Sequence, residues 1–178
     1  KHLTFVAFLD GLAIINPQLP GSIYPFMGLT GEGLALKLAE SIIEKLNLDK
    51  DILADLYSLA TLGTVADVGA LISENRGIVN KGLKSIGQKP LMGIKALSHA
   101  SGRKNTYLNV KDLSWNIIPR LNATGRMGDP KLSYDILTTN EFPDAVEKAK
   151  QIEEYNILRR EETQKGFKTA MNSLEPGP

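Results

Sequence analysis

The sequence predicts a mostly α chain, with strand signal confined to its start. Three observations carry that reading. Apolar residues recur at helical spacing in one stretch after another from Thr30 onward. Cap and stop residues punctuate those stretches, among them Thr30 and Gly102. Only "LTFVAFL" and "GLAIINP", both before Gln18, are compact β-rich runs.

The elements follow in order. "LTFVAFL" reads as a buried strand, and "GLAIINP" (11–17) as a strand end stopped by proline. "NPQLPGSIYPF" carries three prolines and a glycine, so it should be an ordered, extended loop. "TGEGLALKLAESIIEKLN" (30–47) is a helix with Thr30 as its cap and an apolar stripe at Leu34, Leu38, Ile42 and Leu46. A second, more buried helix covers 49–63. "ENRGIVNKGLKSIG" is a third. A fourth spans 89–102, with Pro90 near its first turn and Gly102 as its stop. "NVKDLSWNIIPRLNATGRMGDP" is expected to be a short helix broken by Pro119, then a loop. "DPKLSYDILTT" restarts a helix.

From Pro143 to Leu174 the pattern changes. Between Asp144 and Lys168 stand six acids and six bases, and the apolar stripe through Ala145, Ala149 and Ile152 thins beyond Leu158. A long helix that is polar nearly all round bridges domains or lies solvated with one narrow docking face.

Composition narrows the function classes. The 178 residues suffice for one domain with a core, and the 42% apolar and 23% charged content is that of a soluble globular chain. A net charge of +1 provides no global basic field, so nucleic-acid binding would rest on local patches. With no cysteine there is neither a disulfide framework nor a thiolate zinc site. That fits a reducing, cytoplasmic setting. No apolar run reaches membrane-spanning length. The chain begins with Lys1 rather than methionine, which reads as a fragment.

Two stretches have chemical potential. In "ATLGTVADVGAL" (60–71), Asp67 is the one charged residue in an apolar run. It is a helix cap, a hydrogen-bonded core acid, or a metal ligand. A hard divalent cation takes about six ligands, and no second acid stands within a turn of it in the sequence. "IIPRLNATGRMGDP" (117–130) holds two arginines, an asparagine, a threonine and two glycines. Arginine forks suit phosphate oxygens. Asn122 adds a donor, and Gly125 permits close backbone approach. The alternative is a turn whose arginines pair with surface acids. "GLTGEG" precedes a helix without the Lys-Ser/Thr of a P-loop, so close packing explains its glycines better than a phosphate. His99 reads as a helix C-terminal residue. Trp115 has no aromatic neighbour in sequence to form a base-stacking platform.

Taken in order, "AIINPQLPGSIYPFMGLTGEGLALKLA", "LATLGTVADVGALISENRGIVNKGL" and "IIPRLNATGRMGDPKLSYDILTT" resemble the RecJ branch of the DHH phosphoesterase family. The resemblance covers roughly residues 9–160. It implies a mostly α fragment of an α/β DHH-type catalytic core, with 1–140 as the C-terminal part of the core. Residues 141–178 would be a long interdomain helix toward a second domain.

The resemblance also implies an activity. It is metal-dependent phosphodiester hydrolysis, a 5′-to-3′ exonuclease acting on single-stranded DNA with Mn²⁺ or Mg²⁺. Asp67 matches the acid of the family's "GT-ADV" motif, a metal ligand. Arg120, Asn122 and Arg126 match "PRLNAAGR", associated with substrate phosphate, with Thr124 in place of the second alanine. Asn16, Ser22 and Lys37 match recurrent positions without an assigned role. The Asp-His-His triplet and the acidic motifs before it are missing. His2 stands at about the spacing of the triplet's second histidine, as a further metal ligand, and Lys1 stands where the first would be. The isolated chain is therefore expected to be inactive. Expected partners are single-stranded DNA and single-strand-binding or other repair proteins, without a membrane. Two alternatives stay open within the resemblance, an oligonucleotide or dinucleotide phosphodiesterase and a non-catalytic replication scaffold. A helical interaction module is the third.

Overall fold

The computed structural model describes residues 13–103 and 107–173. Lys1, His2 and "LTFVAFL" lie outside the described residues, and so does Leu174.

Among the described residues the chain is helical, with no strand. Of the strand end expected at "GLAIINP", Ala13 to Asn16 are irregular, and Gly11 and Leu12 lie outside the described residues. The loop that follows is held by side chains. Asn16 Oδ1 accepts from the Gln18 amide at 2.9 Å, and Ser22 Oγ from the Tyr24 amide at 3.3 Å. Both matched positions therefore shape the turn.

α1 (Gly31–Lys45) starts where the Thr30 hydroxyl accepts from the Gly33 amide at 3.3 Å, a side-chain N-cap. Its buried face is Gly33, Leu36 and Ile43. The stripe expected from spacing is largely outside: Leu38, Ile42 and Leu46 are exposed. Both stripes have helical spacing, so periodicity alone could not choose. The glycine at 33 decides, because Leu29 and Ile78 crowd its Cα closely. Close packing, not a phosphate cradle, explains that glycine.

α2 (Ile52–Ala66) and α3 (Ser73–Gln88) form the central antiparallel pair. Gly82 of α3 presses on Thr61 and the Tyr57 carbonyl of α2, leaving no room for a side chain. α4 (Met92–Ala100) ends as expected near Gly102, which adopts φ +79°. His99 lies in its last turn, edge-on to Phe142.

The segment expected to break at Pro119 does not. α5 (Val110–Asp112) runs into a π-helical stretch (Leu113–Ile117), then α6 (Ile118–Met127). Proline is tolerated in a first helical turn, where its missing N–H is not needed, and Pro119 occupies that place in α6. The π-turn absorbs the register change: Ile118 N–H reaches back to the Leu113 carbonyl. The motif "PRLNATGR" is thus helix, not loop. α7 (Lys131–Thr138) follows.

α8 (Phe142–Asn172) is one helix of 31 residues, about 46 Å long at 1.5 Å per residue. Ala145, Ala149, Ile152 and Asn156 dock it on the body. Every residue from Arg160 to Ser173 is exposed. The main core gathers Leu62, Ile86, Ile94, Leu97, Leu113, Ile117, Ile136 and Ile152 from α2 through α8, and a second cluster of Leu29, Leu36, Ala60 and Ile78 seats α1. No helix among the described residues is long and apolar enough to cross a membrane.

Candidate functional site

Asp67 is not a buried carboxylate. It is the exposed C-cap residue of α2, and its amide donates to the Gly63 carbonyl at 2.9 Å. Helix C-termini carry partial negative charge, and the last turn of α2 has no basic residue to offset it. An acid at that position raises the local negative potential and favours a cation.

The loop after Asp67 is tightly specified. Val68 adopts φ +55° and Ser73 φ +46°. The left-handed region is unfavourable for a β-branched residue, so Val68 holds local strain beside Asp67. Val68 is 87% exposed, so burial does not compensate it. Neighbouring bonds fix the turn instead. Gly69 N–H meets the Thr64 carbonyl at 3.0 Å. Asn75, fully buried, donates from Nδ2 to the Ala70 carbonyl (3.1 Å) and the Gly28 carbonyl (2.9 Å). One side chain thereby ties the Asp67 loop, the proline-rich loop and α3 together.

The fold also brings a second acid near, one that sequence spacing did not suggest. The Glu32 side chain lies over Gly63, one turn before Asp67, and its Oε2 is buried without a hydrogen bond. A side chain at position 63 would collide with it. Gly63 and Glu32 are far apart in the chain, and only the two glycines flanking Glu32 hinted at close approach there. Among the described residues no three His, Cys, Asp or Glu side chains gather into a metal-holding group.

The second motif separates its residues. Asn122 and Arg126 are four apart on α6 and both are exposed, as is Gly125. Arg120 is turned inward and only 9% exposed. Its Nε donates to Glu153 Oε2 of α8 at 2.5 Å, and its Nη1 to the Asn116 carbonyl at 2.6 Å. Thr124 is fully buried, and its hydroxyl is 2.8 Å from that of Ser133. The polar atom at this position is therefore satisfied. Trp115 is 73% exposed on the π-turn.

Lys37 pairs with Glu74 at 2.6 Å, and the Tyr24 hydroxyl donates to the other Glu74 oxygen at 2.7 Å. The lysine and tyrosine hydrogen bonds hold the Glu74 carboxyl below the usual carboxylate range. The same bond to Glu74 raises Lys37. Glu74 of α3 thus ties Lys37 of α1 and Tyr24 of the proline-rich loop together.

No family model matches the chain. The single-stranded-DNA-specific exonuclease RecJ of Bacillus subtilis is 32% identical over 166 residues, covering 93% of this chain and 20% of the relative. RecJ of Dickeya dadantii is 35% identical over 159 residues, covering 84% and 28%. The chain is RecJ-like. Among solved structures, RecJ from Thermus thermophilus in complex with Mn²⁺ matches with a TM-score of 0.75 at 26% identity, over 88% of this chain and 23% of that one. An exonuclease RecJ bound to manganese matches with a TM-score of 0.74 at 26% identity, over 90% and 39%. The chain thus spans between a fifth and three tenths of the RecJ relatives from Bacillus subtilis and Dickeya dadantii. What it shares with RecJ is this helical part.

Proposed function

We propose that this chain is part of a RecJ-type exonuclease, which hydrolyses phosphodiester bonds of single-stranded DNA from the 5′ end with Mn²⁺ or Mg²⁺. The observation that carries the reading is Asp67, an exposed carboxylate at the negative end of α2 with no basic residue in that turn. Hard divalent cations take oxygen donors of this kind. Asp67 fits as one donor of a set whose other members lie outside the described residues, His2 being one candidate. When bound, such metals supply a water of lowered pKa and charge on the phosphoryl oxygens.

The chain's own residues do the rest. Gly69, Thr64 and Asn75 hold the Asp67 loop in one conformation. Asn122 and Arg126 present donors from one exposed face of α6. There they would bind substrate phosphate and offset the charge that develops on it. α8, exposed from Arg160 onward, would bridge 1–140, as the C-terminal part of a DHH-type α/β core, to a second domain. A cytoplasmic repair or recombination setting, with single-strand-binding protein as a partner, goes with this reading.

The test uses the protein that carries this chain, with Mn²⁺ and a long single strand labelled at either end. Mononucleotides released from the 5′ end are expected. Hydrolysis confined to dinucleotides would replace the reading with that of a small-substrate phosphodiesterase. Absence of any turnover would leave the non-catalytic scaffold. The isolated 178 residues are expected to be inactive.

A further inference from the structure

The two arginines of "PRLNATGR" look equivalent in sequence, and the fold makes them different. Arg126 is exposed on α6. Arg120 is buried, with Glu153 seated on its Nε at 2.5 Å and the Asn116 carbonyl on its Nη1 at 2.6 Å. Glu153 is itself held from the other side. Asn156 Nδ2 donates to its Oε1 at 3.5 Å, and Arg159 Nη2 donates to Asn156 Oδ1 at 3.0 Å. The chain of contacts runs from α6 along one face of α8.

A phosphate reaching Arg120 would have to share a buried guanidinium whose Nε and Nη1 are already engaged. It would stand beside the Glu153 carboxylate, which is only 23% exposed. Two anions held that close repel, and the repulsion is poorly screened where water is scarce. Charge therefore opposes a substrate contact at Arg120 and favours one at Arg126. The α6–α8 junction has a second fixed point. Gly128, just past α6, lies against the Tyr155 ring so closely that no side chain fits.

We propose that Arg120 is a positioning residue rather than a phosphate ligand, and that Glu153 on α8 is its working partner. The pair sets the rotation of α6 so that Asn122 and Arg126 face substrate. It links the long helix to the phosphate-binding face. This rests on the reading of Asn122 and Arg126 given above.

The test compares variants of the protein that carries this chain, on single-stranded DNA. Glu153→Gln raises KM about tenfold with kcat changed less than about threefold. The charge swap Arg120→Glu with Glu153→Arg returns KM to within about threefold of wild type. The apolar pair Arg120→Met with Glu153→Leu serves if the swap does not fold. It keeps the slope of log Kd against log salt, whereas loss of a phosphate contact lowers that slope by about 0.7. Arg126→Ala gives that lower slope. A swap that folds but stays impaired, or a lower slope in the apolar pair, overturns the proposal and makes Arg120 a ligand. A wild-type protein with no affinity for single-stranded DNA would instead overturn the functional reading. The ion pair then reads independently as a coupling between Arg120 and Glu153 in unfolding.

Discussion

The hydroxyls of Thr30 and Thr64 lie 3.0 Å apart, one at the N-cap of α1 and the other in the last turn of α2. Thr64 is fully buried, and its carbonyl takes the Gly69 amide that closes the Asp67 loop. This contact sets where α2 ends relative to α1.

Thr64→Val keeps the shape and removes the hydroxyl. A buried hydrogen bond lost this way costs about 1–2 kcal/mol. Urea unfolding of the variant is expected to show a lower midpoint with an unchanged m-value. An unchanged midpoint would mean that the hydroxyl contact contributes nothing.

Two glycine-to-alanine changes are expected to have opposite signs. A side chain at Gly93 of α4 would strike the Ile136 carbonyl of α7. Gly93→Ala should cost about 1–3 kcal/mol, as overpacking does. Gly166 sits in the exposed part of α8 with nothing near it. Gly166→Ala should add about 0.5–1 kcal/mol of helix stability. Its readout is ellipticity at 222 nm and the melting of α8.

Glu74 predicts an acid limb. Lys37 and Tyr24 hold its carboxyl below the ordinary range. A lowered folded pKa contributes stability above the unfolded value, about 4.3, and the contribution is lost as pH falls through the folded value. Stability should decline below about pH 4 more steeply in wild type than in Glu74→Gln. Lys37 acts at the other end: raised by the same carboxylate, its contribution is lost as pH rises through the folded lysine value. Parallel acid limbs in wild type and variant would show that Glu74 is uncoupled from folding.

Part of this is legible in the sequence. The Thr30 cap, the end of α4 near Gly102 and the narrow stripe Ala145–Ala149–Ile152 rest on local rules, and local rules hold there. Pro119 misleads because a proline read alone is a breaker. In α6 it falls in the first turn, behind a π-turn. The face of α1 misleads because two stripes share one period. Asp67 looks like a lone acid in an apolar run because periodicity cannot show that the run ends in an exposed cap. Arg120 and Arg126 cannot be distinguished locally, because the residue that separates them, Glu153, is 33 positions from Arg120. Tertiary partners at that distance leave no local signal.

The proposed division of labour gives the metal to Asp67 and the phosphate to α6. Asp67→Ala in the protein that carries this chain separates the two roles, with Mn²⁺-dependent turnover and single-stranded-DNA affinity measured on the same preparation. Turnover is expected to fall about a thousandfold or more, roughly 4 kcal/mol of transition-state stabilisation, with affinity within about threefold of wild type. Turnover within about tenfold of wild type would contradict it.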